Sequence, residues 1–170
     1  DKHRARLERE QAEILRGEED WVRSGGILRD SEGKRDLART EKIQEEIRLR
    51  EWEDEVTRRW DDYEQRWEQL VKKRDSESEI SFDDIPWPVY VGDSKANSGG
   101  MKNVQQFLTE GLKVRGCKVT QKERIRKSFL LWHPDKMTGM VSKVVESDRE
   151  DVEAGISAIV RSLQVMNSKH

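Results

Sequence analysis

Residues 120–136 read Thr-Gln-Lys-Glu-Arg-Ile-Arg-Lys-Ser-Phe-Leu-Leu-Trp-His-Pro-Asp-Lys. Thr120 and Glu123 stand as the Thr-x-x-Glu of a capping box, which opens a helix, and Ile125, Phe129 and Trp132 recur on one side of it as its buried face. Pro134 lacks an N–H for the helical ladder, so it stops the helix and fixes the turn. A helix upstream, over about 101–112, carries Val104, Phe107, Leu108 and Leu112 on one side. Downstream, Ser147-x-x-Glu150 reads as a second capping box, followed by Val152, Ile156, Ile159, Leu163 and Met166 at spacings of 4, 3, 4 and 3. The last two helices have matching apolar faces and predict an antiparallel hairpin. The His133–Arg149 connection between them is long for a helix–helix loop, and loops of that length tend to be functional or mobile.

The rest of the chain differs in character. Of 170 residues, 40% are charged, against about 25% in an average soluble domain, and 33% are apolar. Lys and Arg number 33 and Asp and Glu 35, a net charge of -2, so the charges mostly neutralise one another and a purely electrostatic partner such as bare DNA is disfavoured. Residues 1–75 hold 41 of the charged residues and no proline, which predicts one long arm beside one small core. Cys117 is the single cysteine, which excludes an internal disulfide or an all-thiolate zinc site; it reads as a small buried or half-buried residue in a reducing compartment. No apolar run approaches the length of about 18 residues that spans a bilayer, and no secretory signal is visible, so a soluble intracellular protein is expected. The start at Asp1 reads as that of a fragment.

Glu, Arg, Lys, Leu, Ala and Gln dominate the arm and favour helix, interrupted at Ser24-Gly25-Gly26; helices over about 4–23 and 32–74 are expected. Opposite charges at i,i+4 (Glu46/Arg50, Glu55/Arg59, Asp62/Arg66, Glu68/Lys72) contribute only about 0.2–0.5 kcal/mol each. Leu49, Val56, Trp60, Tyr63, Trp67 and Leu70 fall on one heptad seam, a stripe that demands a partner surface: a second helix, the chain's own domain, or another protein. Large aromatics among charges favour the last, with Trp60, Tyr63 and Trp67 as anchors in pockets of a partner. Such an arm is expected to be ordered mainly by that partner.

Ile80 to Tyr90 carries two of the three prolines, and Pro86 and Pro88 force an extended backbone. Phe82, Ile85, Trp87, Val89 and Tyr90 are too many apolar groups for a plain linker, so this strap is expected to dock on a partner, with Phe82, Ile85 and Trp87 as the partner contacts. Gly92 to Gly100 reads as a flexible hinge.

The basic amphipathic helix ending in Trp132-His133-Pro134-Asp135-Lys136 resembles the second helix and loop of J-domains, co-chaperones of the seventy-kilodalton heat-shock chaperones. The resemblance implies that His133, Pro134 and Asp135, with Lys122, Arg126 and Lys127 on the exposed helix face, contact a chaperone's ATPase domain. The surroundings depart from the J-domain pattern: the first helix lacks a Tyr-rich opening, and the third lacks a Phe-x-x-Ile-x-x-Ala-Tyr run. Taken together, Arg58-Arg59-Trp60-Asp61-Asp62-Tyr63-Glu64-Gln65-Arg66-Trp67, then Ile85-Pro86-Trp87-Pro88, then Trp132-His133-Pro134-Asp135-Lys136 resemble the C-terminal half of the NF-kappa-B inhibitor-like proteins over roughly residues 35–170. That family carries ankyrin repeats upstream, none of which is visible here.

This second resemblance implies a nuclear protein-interaction factor of the spliceosome and pre-mRNA splicing. The residues and the resemblance together predict an all-α fold: a long extended charged helical arm over 1–75 broken near 24–26, an extended strap and hinge over 76–100, and a J-like helical domain over 101–170. The alternative is an active J-domain co-chaperone. No enzyme activity, cofactor or metal is expected. His133 and Asp135 have no Ser or Cys nucleophile beside them in sequence, and His3 and His170 at the ends supply no third ligand. Expected partners are spliceosomal proteins and a heat-shock chaperone, with no membrane. Direct RNA contact is not expected to dominate, because the arm's Arg residues come with equal numbers of acids, whereas an RNA-binding helix has a one-signed face.

Overall fold

The computed structural model describes residues 1–90 and 100–169, so the hinge expected over 92–100 lies almost entirely outside the described residues. Those residues are all-α. The helices are α1 (Lys2–Arg23), α2 (Leu37–Arg74), α3 (Gly100–Thr109), α4 (Gln121–Trp132), α5 (Pro134–Val141) and α6 (Glu146–Ser168), with 3-10 turns at Phe82–Asp84 and Glu110–Lys113. The chain divides into two compact units, Asp1–Asp54 and Glu55–His170. This division differs from the one that composition suggests, because it falls inside α2 and leaves the strap and the C-terminal helices in one body.

In the first unit, α1 ends at a turn in which Gly25 takes φ 98°, a left-handed conformation open to glycine. Trp21 folds over Gly26 and donates from Nε1 to the Ile27 carbonyl at 3.1 Å. The next helix starts at Leu37, later than expected, because residues 27–36 form a small loop closed by an antiparallel bridge between Arg29 and Arg35. Asp36 then caps α2 by accepting from the Arg39 N–H at 3.2 Å. Val22, Leu28 and Ile47 make a small core, and ion pairs Glu18–Arg39 and Glu19–Arg50 join α1 to α2.

In the second unit the seam of α2 finds its partner within the chain. Val56, Tyr63 and Leu70 are buried, and Trp60 and Trp67 pack half-buried on the same core, whereas Leu49 lies off it, exposed. Trp60, Tyr63 and Trp67 are therefore not free anchors for another protein, since their rings face α3 and α4: Tyr63 lies 5.3 Å from Phe107 and Trp67 4.9 Å from Trp132. The strap fills the remaining side. Ile80, Ile85, Pro86, Trp87 and Pro88 are buried, and Phe82 packs on Trp87, so Phe82, Ile85 and Trp87 too are core residues here.

Hydrogen bonds fix the first part of the strap, Ile80 to Ile85. Ile80 pairs in parallel with Val144, exchanging bonds with Lys143 and Val145 at 2.9 Å. Asp148 accepts from the Phe82 N–H, Lys73 donates to Asp84, and Arg66 donates to the carbonyls of Asp83 and Ile85. Arg66 thus serves the strap in place of an i,i+4 pair with Asp62.

Three local expectations change for physical reasons. The connection His133–Arg149 contains a helix, α5, because Met137 and Met140 supply a buried stripe and proline is well suited to a first helical position. The last helix begins at Glu146, with Val145 as its cap, so Ser147 lies inside it and the second capping box does not form. Phe129 is half-buried and Leu112 sits half-buried in a 3-10 turn, leaving Ile125 and Trp132 as the deep contacts of α4.

Tyr63 carries the clearest electrostatic consequence. Its hydroxyl accepts from Trp132 Nε1 at 3.3 Å, and burial pushes its pKa up to about 12. The folded state holds the phenol proton where the unfolded chain releases it, so stability falls as pH rises from about 10 towards 12, by about 1.4 kcal/mol per pH unit. Chemical denaturation of the chain across this window should show that fall, and a smaller one in Tyr63→Phe. A wild-type stability flat to pH of about 12 would contradict a buried Tyr63.

Candidate interaction site around His133 and Asp135

The motif is positioned by two helices. At the start of α4 both arms of the capping box form: Thr120 Oγ1 accepts from the Glu123 N–H at 3.1 Å, and Glu123 accepts from the Thr120 N–H at 3.4 Å. Its inner face holds Arg124, Ile125, Ser128 and Trp132, while Lys122, Arg126 and Lys127 are exposed, with Leu130 among them at 56% exposure.

At the end of α4 the backbone turns at His133, which caps α5. Its carbonyl accepts from the N–H groups of Lys136 and Met137 at 3.0 Å, and its Nδ1 accepts from the Asp135 N–H at 3.2 Å. Asp135 Oδ2 lies 3.6 Å from that Nδ1, and the Asp135 side chain is 92% exposed. Pro134 is the first residue of α5, so it both ends α4 and starts the next helix; Asp135 lies in that helix's first turn and not on a free loop.

Beside Pro134 a groove of about 570 Å³ opens between α5 and α6, floored by Met137, Val141, Ile156 and Val160, with Glu153 and Arg161 at its rim. Apolar floor and charged rim are the make-up of a protein-docking groove. The predicted residues therefore fall into two groups. His133, Pro134, Asp135, Lys122, Arg126 and Lys127 are all exposed, the lysines and arginine along α4 and the motif at the α4–α5 junction, while Trp60, Tyr63, Trp67, Phe82, Ile85 and Trp87 pack inside the unit.

No known family, curated protein or solved structure matches this chain. Among the described residues, no group of three or more His, Cys, Asp or Glu side chains could hold a metal ion, and no helix is long and apolar enough to cross a membrane.

Two residues matter that the sequence reading passed over. Arg124 reads as one more surface cation, yet its guanidinium lies 3.7 Å from the Trp60 ring centroid and donates to the Leu108 carbonyl, and burial lowers its pKa. Gly155 sits against Trp87 and leaves room for its ring. A glycine inside an apolar-periodic helix signals such close approach, whereas nothing in the pattern distinguishes Arg124 from its basic neighbours.

An exposed carboxylate in the first helical turn contributes only through the helix dipole. Asp135→Asn should thus lower stability by less than about 1 kcal/mol, measured by thermal unfolding. A loss of several kcal/mol would give Asp135 a structural role that its exposure excludes.

Proposed function

We propose that this chain is a non-enzymatic protein-interaction module of a nuclear pre-mRNA splicing assembly, of the NF-kappa-B inhibitor-like kind. It docks larger partners through the α5–α6 groove beside the His133-Pro134-Asp135 tip. The observation that carries the reading is that groove: the aromatics of α2 and the strap are used internally, whereas an apolar floor remains open next to the motif. Further support comes from the three elements of the resemblance, Arg58–Trp67, Ile85–Pro88 and Trp132–Lys136, which pack into one unit, as parts of a single module would.

A second reading, an active J-domain co-chaperone, is favoured by a different observation. His133 and Asp135 are exposed at one tip, and the preceding helix presents Lys122, Arg126 and Lys127 to solvent.

Affinity purification from nuclear extract followed by mass spectrometry separates the two. Ser157 is an exposed groove residue, so Ser157→Arg should block the floor and leave the fold intact. Recovery of splicing proteins by wild type, their loss with Ser157→Arg and their retention with His133→Gln is the expected outcome. Loss of a heat-shock chaperone alone with His133→Gln supports the co-chaperone reading, and a splicing-protein list unchanged by Ser157→Arg overturns the docking one.

A further inference from the structure

The nearly neutral total charge conceals one strongly basic segment. Residues 113–127 carry Lys113, Arg115, Lys118, Lys122, Arg124, Arg126 and Lys127 against one acid, Glu123, while the remaining chain holds 26 Lys and Arg against 34 Asp and Glu. Burial sorts these cations. Arg124 is buried against Trp60, while Arg115, though exposed, takes part in an interaction of the fold and lines one cleft with Asp61 of α2. Lys113, Lys118, Lys122, Arg126 and Lys127 are exposed, and Lys122 and Arg126 share a helix face at i,i+4.

From this arrangement we infer that the exposed cations of the 113–127 loop and helix, Lys113, Lys118, Lys122 and Arg126, form a surface that binds the phosphodiester backbone of a nucleic acid. A predominantly basic surface is what such binding needs and what the arm lacks. An acidic protein is the competing polyanion, but protein interfaces bury an apolar centre, and the exposed large apolar side chains here are only Val119 in this segment and Leu130 further along α4. A membrane surface would need the apolar face of α4, which is occupied by the core. Exposed lysines act as point charges towards phosphate, and contacts of that kind position a strand without reading its bases. The inference does not rest on the protein-docking reading, since the groove beside Pro134 is lined by other residues.

The test is fluorescence anisotropy of the full chain with labelled single-stranded RNA of about 20 nucleotides, with the same length of DNA and with polyglutamate, over a salt series. Three chains are compared: wild type, the patch triple Lys113→Gln/Lys118→Gln/Lys122→Gln, and an equal charge change on the arm, Lys34→Gln/Lys42→Gln/Lys72→Gln. All six lysines are exposed, so the fold should survive, and circular dichroism checks it. The patch triple should weaken RNA binding at least about tenfold and reduce the log–log salt slope by about 2, with less than about a twofold effect from the arm triple. Equal binding of DNA agrees with phosphate as the recognised group. Absence of RNA binding at low salt, equal losses from both triples, or polyglutamate binding as tightly as RNA would each overturn the proposal, the last in favour of an acidic protein partner.

Discussion

The indole of Trp87 lies directly against the backbone of α6 at Gly155, where a Cβ would come within 2.6 Å of the ring. The same ring stacks on Trp132 at 5.7 Å, and Trp132 meets Trp67 edge-on at 4.9 Å. One continuous aromatic contact therefore runs from α6 through the strap and α4 to α2. Burying a ring of this size stabilises the fold by about 4–6 kcal/mol, as much as an entire small domain can have in net stability. Trp87 Nε1 donates to the Phe82 carbonyl at 3.0 Å, so the ring is buried with its polar atom satisfied.

That contact explains how a chain with so few apolar residues folds at all. The second unit gathers apolar groups from α2, the strap and four C-terminal helices around one cluster, and none of these segments could bury its own face alone. The charges are arranged to permit it. Arg66 and Lys73 hold the strap's carbonyls and Asp84, Asp148 holds its N–H, and Glu110 joins Arg59 to the Tyr90 hydroxyl at the strap's far end. Partly buried polar groups that are paired in this way cost little, whereas the same groups left alone would oppose folding. With the aromatics of α2 and the strap occupied, the proposed functions rest on the tip at His133–Asp135, the α5–α6 groove and the basic stretch 113–127.

The parts of this architecture visible in the sequence are the ones governed by local rules. The capping box at Thr120, the end of α4 at Pro134, the break at Gly25-Gly26 and the seam from Val56 to Leu70 each follow from a few neighbouring residues. The destination of the seam is not local. Periodicity states that Trp60 and Trp67 need a surface and carries nothing about whether that surface belongs to the same chain. The start of α6 was hidden for a similar reason: the bridge from Ile80 to Val144 and the bond from Val145 to the strap set it, and a capping motif at Ser147 cannot compete with them. In α5, proline reads as a stop when judged from the helix before it and as a start when judged from the helix after it. The exposed motif at His133–Asp135 was legible as a motif, and its seat at a helix N-terminus was not.

The role of the Trp87–Gly155 contact is open to one direct measurement, because it reverses the usual sign of a glycine substitution. Ala in place of Gly within a helix ordinarily stabilises by about 0.5–1 kcal/mol. Gly139, in α5 of the same unit, has open space around it, so Gly139→Ala should raise the midpoint of thermal unfolding. Gly155→Ala should lower that midpoint and alter the near-ultraviolet signal of the stacked tryptophans, since the added methyl displaces the Trp87 ring. If Gly155→Ala stabilised the chain as Gly139→Ala does, with an unchanged tryptophan signal, the strap would not be seated on α6 and this account of the fold would be wrong.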